Sequence, residues 1–173
     1  MTTIGFIGLG IMGTPMALNL QKAGHSLVTS KHRKSPAKEL TDGGLKVLDT
    51  PAEVARAAEI VILMLPDTPQ VKDVLFSEKG LASGLSKGKL IIDMSSISPI
   101  ETKAFAKKIR DLGAEYVDAP VSGGEVGAKA GTLTIMAGGS QAAFDRAKPL
   151  FEKMGKNITL VGDCGDGQVA KVA

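Results

Sequence analysis

The residues with the clearest chemical potential stand near the start of the chain. Gly8-Leu9-Gly10-Ile11-Met12-Gly13 follows the apolar residues Ile4, Phe6 and Ile7 directly and precedes Met16, Ala17 and Leu20, which recur at helical spacing. Strand, glycine turn and helix in that order make a phosphate cradle. Gly8 permits the tight turn, Gly10 lets a pyrophosphate approach the backbone, and Gly13 lets the helix pack on the strand. The helix start adds unpaired N–H groups and the positive end of its dipole. A GxGxxG run alone is weak evidence; between a strand and a helix at the head of an alternating chain, it favours a dinucleotide over a plain turn.

Other candidates fall at the ends of later strands, where ligands bind in doubly wound sheets. After the second strand, dinucleotide-binding chains commonly carry an acid for the ribose hydroxyls, but here the residues are Ser30-Lys31-His32-Arg33-Lys34. Arg33 with Lys31 beside it suits a 2′-phosphate, so NADP(H) is favoured and NAD(H) is the alternative. A solvated basic turn would read the same way. Leu65-Pro66-Asp67 would lie against the cofactor, and Asp93-Met94-Ser95-Ser96 presents two hydroxyls there or is a simple strand-to-helix turn. Asp93 and Asp118 are expected to orient backbone N–H groups rather than act as acids. In Asp118-Ala119-Pro120-Val121-Ser122-Gly123-Gly124, converging N–H groups and the Ser122 hydroxyl could form a nest for a carboxylate. Spacing gives Lys171 no role beyond a solvated side chain, and His25 and His32 read as surface residues.

These stretches need a parallel sheet to bring them together, and the chain alternates strand and helix signals throughout. Strands are expected at Leu27 to Thr29, Leu45 to Leu48, Ile60 to Leu65, Leu90 to Asp93, Tyr116 to Asp118, Thr132 to Ala137 and Asn157 to Val161. Ile60 to Leu65 has no polar alternation and should be covered on both faces. Helices are expected to open at Ser35-Pro36, Thr50-Pro51-Ala52-Glu53 and Ser98-Pro99-Ile100-Glu101, all with cap signatures, and to run from Ser140 to Met154. A last helix begins at Gln168 and stops at Ala173, as though cut short. The fold class is therefore α/β: a Rossmann-like, doubly wound, mostly parallel sheet with helices on both faces.

Bulk properties agree with one domain. The 173 residues suffice to bury roughly 70% of the unfolded surface. The single cysteine, Cys164, forms no internal disulfide and has no metal-site spacing around it, so no metal is expected. Met1-Thr2-Thr3 leads straight into the first strand without signal-peptide character, and Ile60 to Pro66 is too short to span a bilayer. A cytoplasmic protein without membrane contact is the expectation. A net charge of +3, five Phe, one Tyr and no Trp argue against nucleic-acid binding.

With its motifs laid out, the chain resembles the β-hydroxyacid dehydrogenases. GFIGLGIMGTPMALNL is similar to that family's cofactor signature, DAPVSGG to its substrate signature, and GDGQVAKVA to the start of its catalytic helix. PDTPQV, DMSSISPIETK and GKNITLVG resemble the members that reduce tartronate semialdehyde. The resemblance implies that Lys171 is the catalytic lysine and that Ser122, Gly123 and Gly124 hold a substrate carboxylate. It also implies that Met64, Leu65, Pro66 and Ser96 touch the nicotinamide half of the cofactor. The implied substrate is a short semialdehyde or hydroxyacid, reduced by hydride transfer with the lysine as general acid. A non-catalytic dinucleotide module and a 3-hydroxyisobutyrate or succinic semialdehyde type of dehydrogenase are the alternatives. Residues 1–163 then form the NAD(P)-binding domain and 164–173 the truncated start of an interdomain helix. The family's helical second domain and the Asn after its lysine are missing, so this chain is expected to bind cofactor without full activity. The full-length parent is expected to be a homo-oligomer.

Overall fold

Among the described residues, the alternating apolar segments pair into one nine-stranded sheet. A computed structural model describes residues 2–173. Its strands are β1 (Thr3–Ile7), β2 (Ser26–Ser30), β3 (Lys46–Leu48), β4 (Ile60–Leu63), β5 (Leu90–Asp93), β6 (Glu115–Asp118), β7 (Val121–Ser122), β8 (Leu133–Gly138) and β9 (Gly155–Gly162). The helices are α1 (Gly13–Lys22), α2 (Lys38–Asp42), α3 (Pro51–Ala57), α4 (Thr68–Phe76), α5 (Pro99–Asp111), α6 (Gly124–Ala130), α7 (Gln141–Met154) and α8 (Asp166–Val172). The sheet order is β3-β2-β1-β4-β5-β6-β8-β7, with β9 beside β8. β1 to β6 run parallel, whereas β8 is antiparallel to β6 and β7 and parallel to β9. The winding reverses between β1 and β4, which creates a crevice beyond their carboxyl ends.

Side-chain alternation along the strands supplies two cores. Ile4, Phe6, Ile60, Ile62, Leu90 and Ile92 point to one face, where α1 and α7 cover them. Ile7, Val61, Leu63, Ile91 and Tyr116 point to the other, under α3, α4 and α5. The central strands are thus apolar on both faces, as the unalternated run from Ile60 to Leu65 implies. Among the described residues no helix is long and apolar enough to cross a membrane.

Several boundaries differ from the sequence reading. β4 ends at Leu63, which leaves Met64 and Leu65 in the loop beyond it. The helix expected from Ser35-Pro36 begins at Lys38, after an extended Ala37 with ψ 140°. Leu40 is its one buried residue, so only the turn around Leu40 is anchored. The helices α4 and α6 and the short strand β7 were not anticipated. α4 starts on the Asp67 carboxylate, which accepts from the Thr68 N–H at 2.7 Å.

The cap signatures at Thr50 and Ser98 do begin helices, and Ser140 caps α7 by accepting from the Ala143 N–H at 3.1 Å. The Thr50 hydroxyl accepts from the Glu53 N–H at 3.2 Å, and the Glu53 carboxylate accepts from the Asp49 N–H at 2.9 Å. This reciprocal pair satisfies two N–H groups at the start of α3. Thr50→Ala should therefore lower unfolding free energy by about 1 kcal/mol in urea denaturation. An unchanged midpoint would remove the cap's importance.

Candidate cofactor and active site

The glycine turn joins β1 to α1 at the reversal point. Gly8 has φ +109°, and a Cβ on it would overlap the Met64 carbonyl. A Cβ on Gly13 would overlap the Gly8 carbonyl. Gly10 differs, because a Cβ there would meet nothing within 4 Å. Packing therefore demands glycine at 8 and 13, while at 10 the missing side chain leaves open space over the backbone. α1 has Met12 as its N-cap residue, with no side-chain cap and no acid in its first turn. By contrast α3, α4, α5 and α7 each start on a hydroxyl or carboxylate cap. No side chain of this chain caps the start of α1, and with the open backbone at Gly10 these residues fit a dinucleotide diphosphate. The Thr14 hydroxyl closes the turn from inside by donating to the Leu9 carbonyl at 3.0 Å, while Ile11 is exposed and Met12 half-buried.

After β2 the backbone carries Lys31 to Lys34 on the surface. Lys31 Nζ pairs with Asp49 Oδ1 at 2.6 Å. That bond and the opposite charge raise the lysine's pKa and lower the carboxylate's. Asp49 comes from the end of β3, which strand pairing sets beside β2, and the sequence reading did not find it. Lys31 is accordingly engaged by an acid, whereas Arg33 has no ion-pair partner among the described residues.

The loops after β4 and β5 are tied together. The Leu65 N–H donates to Ser95 Oγ at 2.8 Å, and the Ser95 N–H donates to Asp93 Oδ1 at 3.0 Å. Of the two hydroxyls, Ser95 is therefore internal, and Ser96 and Pro66 are exposed. Asp93 Oδ2 accepts from the Tyr116 hydroxyl at 2.9 Å. Asp118, its register partner on β6, accepts from the N–H groups of Gly165 at 2.7 Å and Gln168 at 3.0 Å. Both acids hold backbone in place.

Burial pushes the Asp93 carboxyl up to about 6, against the hydrogen bonds from Ser95 and Tyr116, which lower it. Burial also raises Asp118 and Tyr116.

Lys171 sits in the last turn of α8, half-buried, and its Nζ donates to Ser122 Oγ at 2.6 Å. Ser122 ends β7 opposite Thr134, and Gly123 and Gly124 turn the chain into α6 with φ of 132° and 62°. That backbone region favours glycine. An ammonium on a hydroxyl beside an open glycine turn can hold a proton next to a bound carboxylate or carbonyl. Gln168, Tyr116 and Asp49 escaped the sequence reading; nothing in their spacing marks them, because their partners are distant in sequence. Cys164 is buried, with Arg110 Nη2 at 2.8 Å from its sulfur. Burial pushes its thiol up to about 11, so it stays protonated and inert at neutral pH.

Residues 3–162 match the family described as the NAD binding domain of 6-phosphogluconate dehydrogenase. The chain belongs to this family, and it is a cofactor domain of the β-hydroxyacid dehydrogenase type. It is 58% identical over 170 residues to 2-hydroxy-3-oxopropionate reductase of Escherichia coli, covering 98% of this chain and 58% of that protein. Among solved structures, Mycobacterium tuberculosis 3-hydroxyisobutyrate dehydrogenase with L-serine superposes with a TM-score of 0.91 at 38% identity, covering 99% of this chain and 58% of that one. Psf3 in complex with NADP+ and 2-OPP gives a TM-score of 0.92 at 28% identity, with 98% and 60% covered. The chain thus spans somewhat over half the length of these relatives.

Two outcomes follow from this geometry. Gly10→Ala should keep the wild-type Tm but weaken dinucleotide binding in calorimetry, while Gly13→Ala should lose roughly 1–3 kcal/mol of stability from overpacking. Equal Tm losses in both would contradict the distinction. For Asp93, the folded-state value of about 6 lies above the ordinary 3.8. The folded chain keeps a proton there that the unfolded chain releases, so this stabilisation is complete below 3.8 and is lost as pH rises through about 6. Urea titrations from pH 4 to 7 should show Asp93→Asn gaining stability relative to wild type as pH rises, and a constant difference would count against it.

Proposed function

We propose that this chain is the cofactor half of an NAD(P)H-dependent reductase of a short semialdehyde, tartronate semialdehyde (2-hydroxy-3-oxopropanoate), yielding glycerate. The observation that carries the reading is the Lys171 to Ser122 hydrogen bond at 2.6 Å, set beside Gly123 and Gly124. The 58% identity to the Escherichia coli 2-hydroxy-3-oxopropionate reductase supports the choice of substrate.

Gly8, Leu9, Gly10, Ile11, Met12 and Gly13 would hold the diphosphate, and Met64, Leu65, Pro66 and Ser96 the nicotinamide end. The bound cofactor supplies a hydride to the aldehyde carbon. Ser122 and the N–H groups of Gly123 and Gly124 hold the substrate carboxylate, which fixes the carbonyl relative to Lys171. The ammonium donates a hydrogen bond to the carbonyl oxygen and passes its proton there as negative charge develops. The C=O bond becomes C–OH, and the neutral amine regains a proton from water. Arg33 would meet a 2′-phosphate and favour NADPH over NADH, with Lys31 contributing less because Asp49 already holds it. Residues 1–163 form the cofactor domain in this reading, and 164–173 begin the helix leading to a second domain. A cofactor domain tested by itself leaves the cleft open to water, so residues 1–173 alone should bind cofactor without efficient turnover.

Fluorescence titration should show NADPH binding more tightly than NADH, with Arg33→Ser erasing the difference; tighter NADH binding would overturn the cofactor assignment. In the two-domain enzyme, Lys171→Ala should cut turnover of tartronate semialdehyde by about 10²–10⁴-fold. A variant that keeps wild-type kcat would overturn the assignment of the proton donor.

A further inference from the structure

Gln168 has no part in the chemistry above, yet its surroundings are the most constrained of any polar side chain on α8. It is 1% exposed. Its Oε1 accepts from the Ile97 N–H at 3.0 Å, and its Nε2 donates to the Ser95 carbonyl at 2.7 Å. Its own N–H goes to Asp118 Oδ2 at 3.0 Å. Ser95 in turn holds the Leu65 N–H through Oγ at 2.8 Å. One amide therefore straps α8 to the loop after β5 and, through Ser95, to the loop after β4.

α8 has seven residues and no side-chain N-cap, so it cannot hold itself in water. Lys171 lies three positions beyond Gln168, on the adjoining part of the helix surface. An apolar residue at 168 would fix how deeply the helix sits but not its rotation. Two directional bonds from a planar amide fix both.

We propose that Gln168 is a positioning residue: its two-bond strap to Ser95 and Ile97 sets the rotation of α8 that keeps Lys171 on Ser122 and couples that lysine to the loop after β4. The inference rests on the role given to Lys171 above and extends it. Both amide partners are backbone groups, so the strap depends on the hydrogen-bonding pattern of residue 168 rather than on its charge. Glutamate matches that pattern only when protonated, since its O–H then replaces the N–H donor to the Ser95 carbonyl. As a carboxylate it has no donor for that carbonyl and sets a negative charge against the oxygen's partial negative one.

The test uses the 173-residue chain with isotope-labelled lysines and follows the Lys171 ammonium resonance by NMR, assigned by its loss in Lys171→Ala. In wild type the signal should stand apart from the surface lysines, and Ser122→Ala should move it to them. Gln168→Met, similar in length but without hydrogen bonds, should do the same and speed α8 amide exchange about tenfold. Gln168→Glu should give the wild-type signal in acid and lose it as pH rises, with a midpoint above the ordinary carboxylate range because the group is buried. The titratable groups around the strap, Asp93, Asp118, Tyr116, Cys164 and Lys171, are common to both chains, so the diagnostic transition is the one absent from wild type. A folded Gln168→Met chain with the wild-type Lys171 signal would overturn the proposal. If that variant does not fold, a pH-independent signal in Gln168→Glu would overturn it instead. NADPH titration of wild type runs separately: failure to bind refutes the reductase reading, while the Lys171 signals still decide the role of Gln168.

Discussion

The contact between Gly13 and the Gly8 carbonyl is the constraint on which the rest of the site depends. It allows α1 to start directly over the end of β1, at the point where the winding of the sheet reverses. Any side chain at 13 would push the helix away and carry its first N–H groups out of the crevice. From there the site is built by successive backbone anchors. The loop after β4 leans on Gly8, Ser95 holds that loop, and Gln168 holds the carbonyl of Ser95. Lys171 stands at the far end of this series, so its position traces back to the glycine turn through close backbone packing and hydrogen bonds rather than through sequence proximity.

The buried acids show how the anchors are held in a dry interior. Asp93 and Asp118 are adjacent in register, fully buried and on the same sheet face as Tyr116. Burying a carboxylate is unfavourable unless donors surround it. Here the donors are the N–H groups of Ser95, Gly165 and Gln168 and the phenol of Tyr116. The same bonds that satisfy the carboxylates fix the loop after β5 and the start of α8. Their function is positional, and their raised pKa values are the cost of that placement.

Much of this fold was legible in the sequence because its signals are local. The apolar run from Ile60, the caps at Thr50 and Ser98, and the glycine turn each act over a few residues, and each has a matching element. The losses also have physical causes. Ser35-Pro36 has the form of a helix start, but only Leu40 has a core to enter, so the helix forms later. The sequence shows Lys31 without an acid because Asp49 reaches it through strand pairing, not through neighbourhood in the chain. Lys171 looked solvated by spacing, and only the resemblance singled it out. Its hydroxyl partner lies 49 residues away, and Gln168 reaches 71 and 73 residues back to Ile97 and Ser95. Contacts of that range leave no periodic trace.

The central claim is that the uncapped start of α1 receives a dinucleotide diphosphate. Amide NMR of the labelled chain during titration with NADPH tests it most directly. The largest shifts should fall at Gly10, Ile11, Met12 and Gly13, with smaller ones at Met64, Leu65 and Ser96. Shifts confined to other surfaces, or none at saturating cofactor, would contradict it.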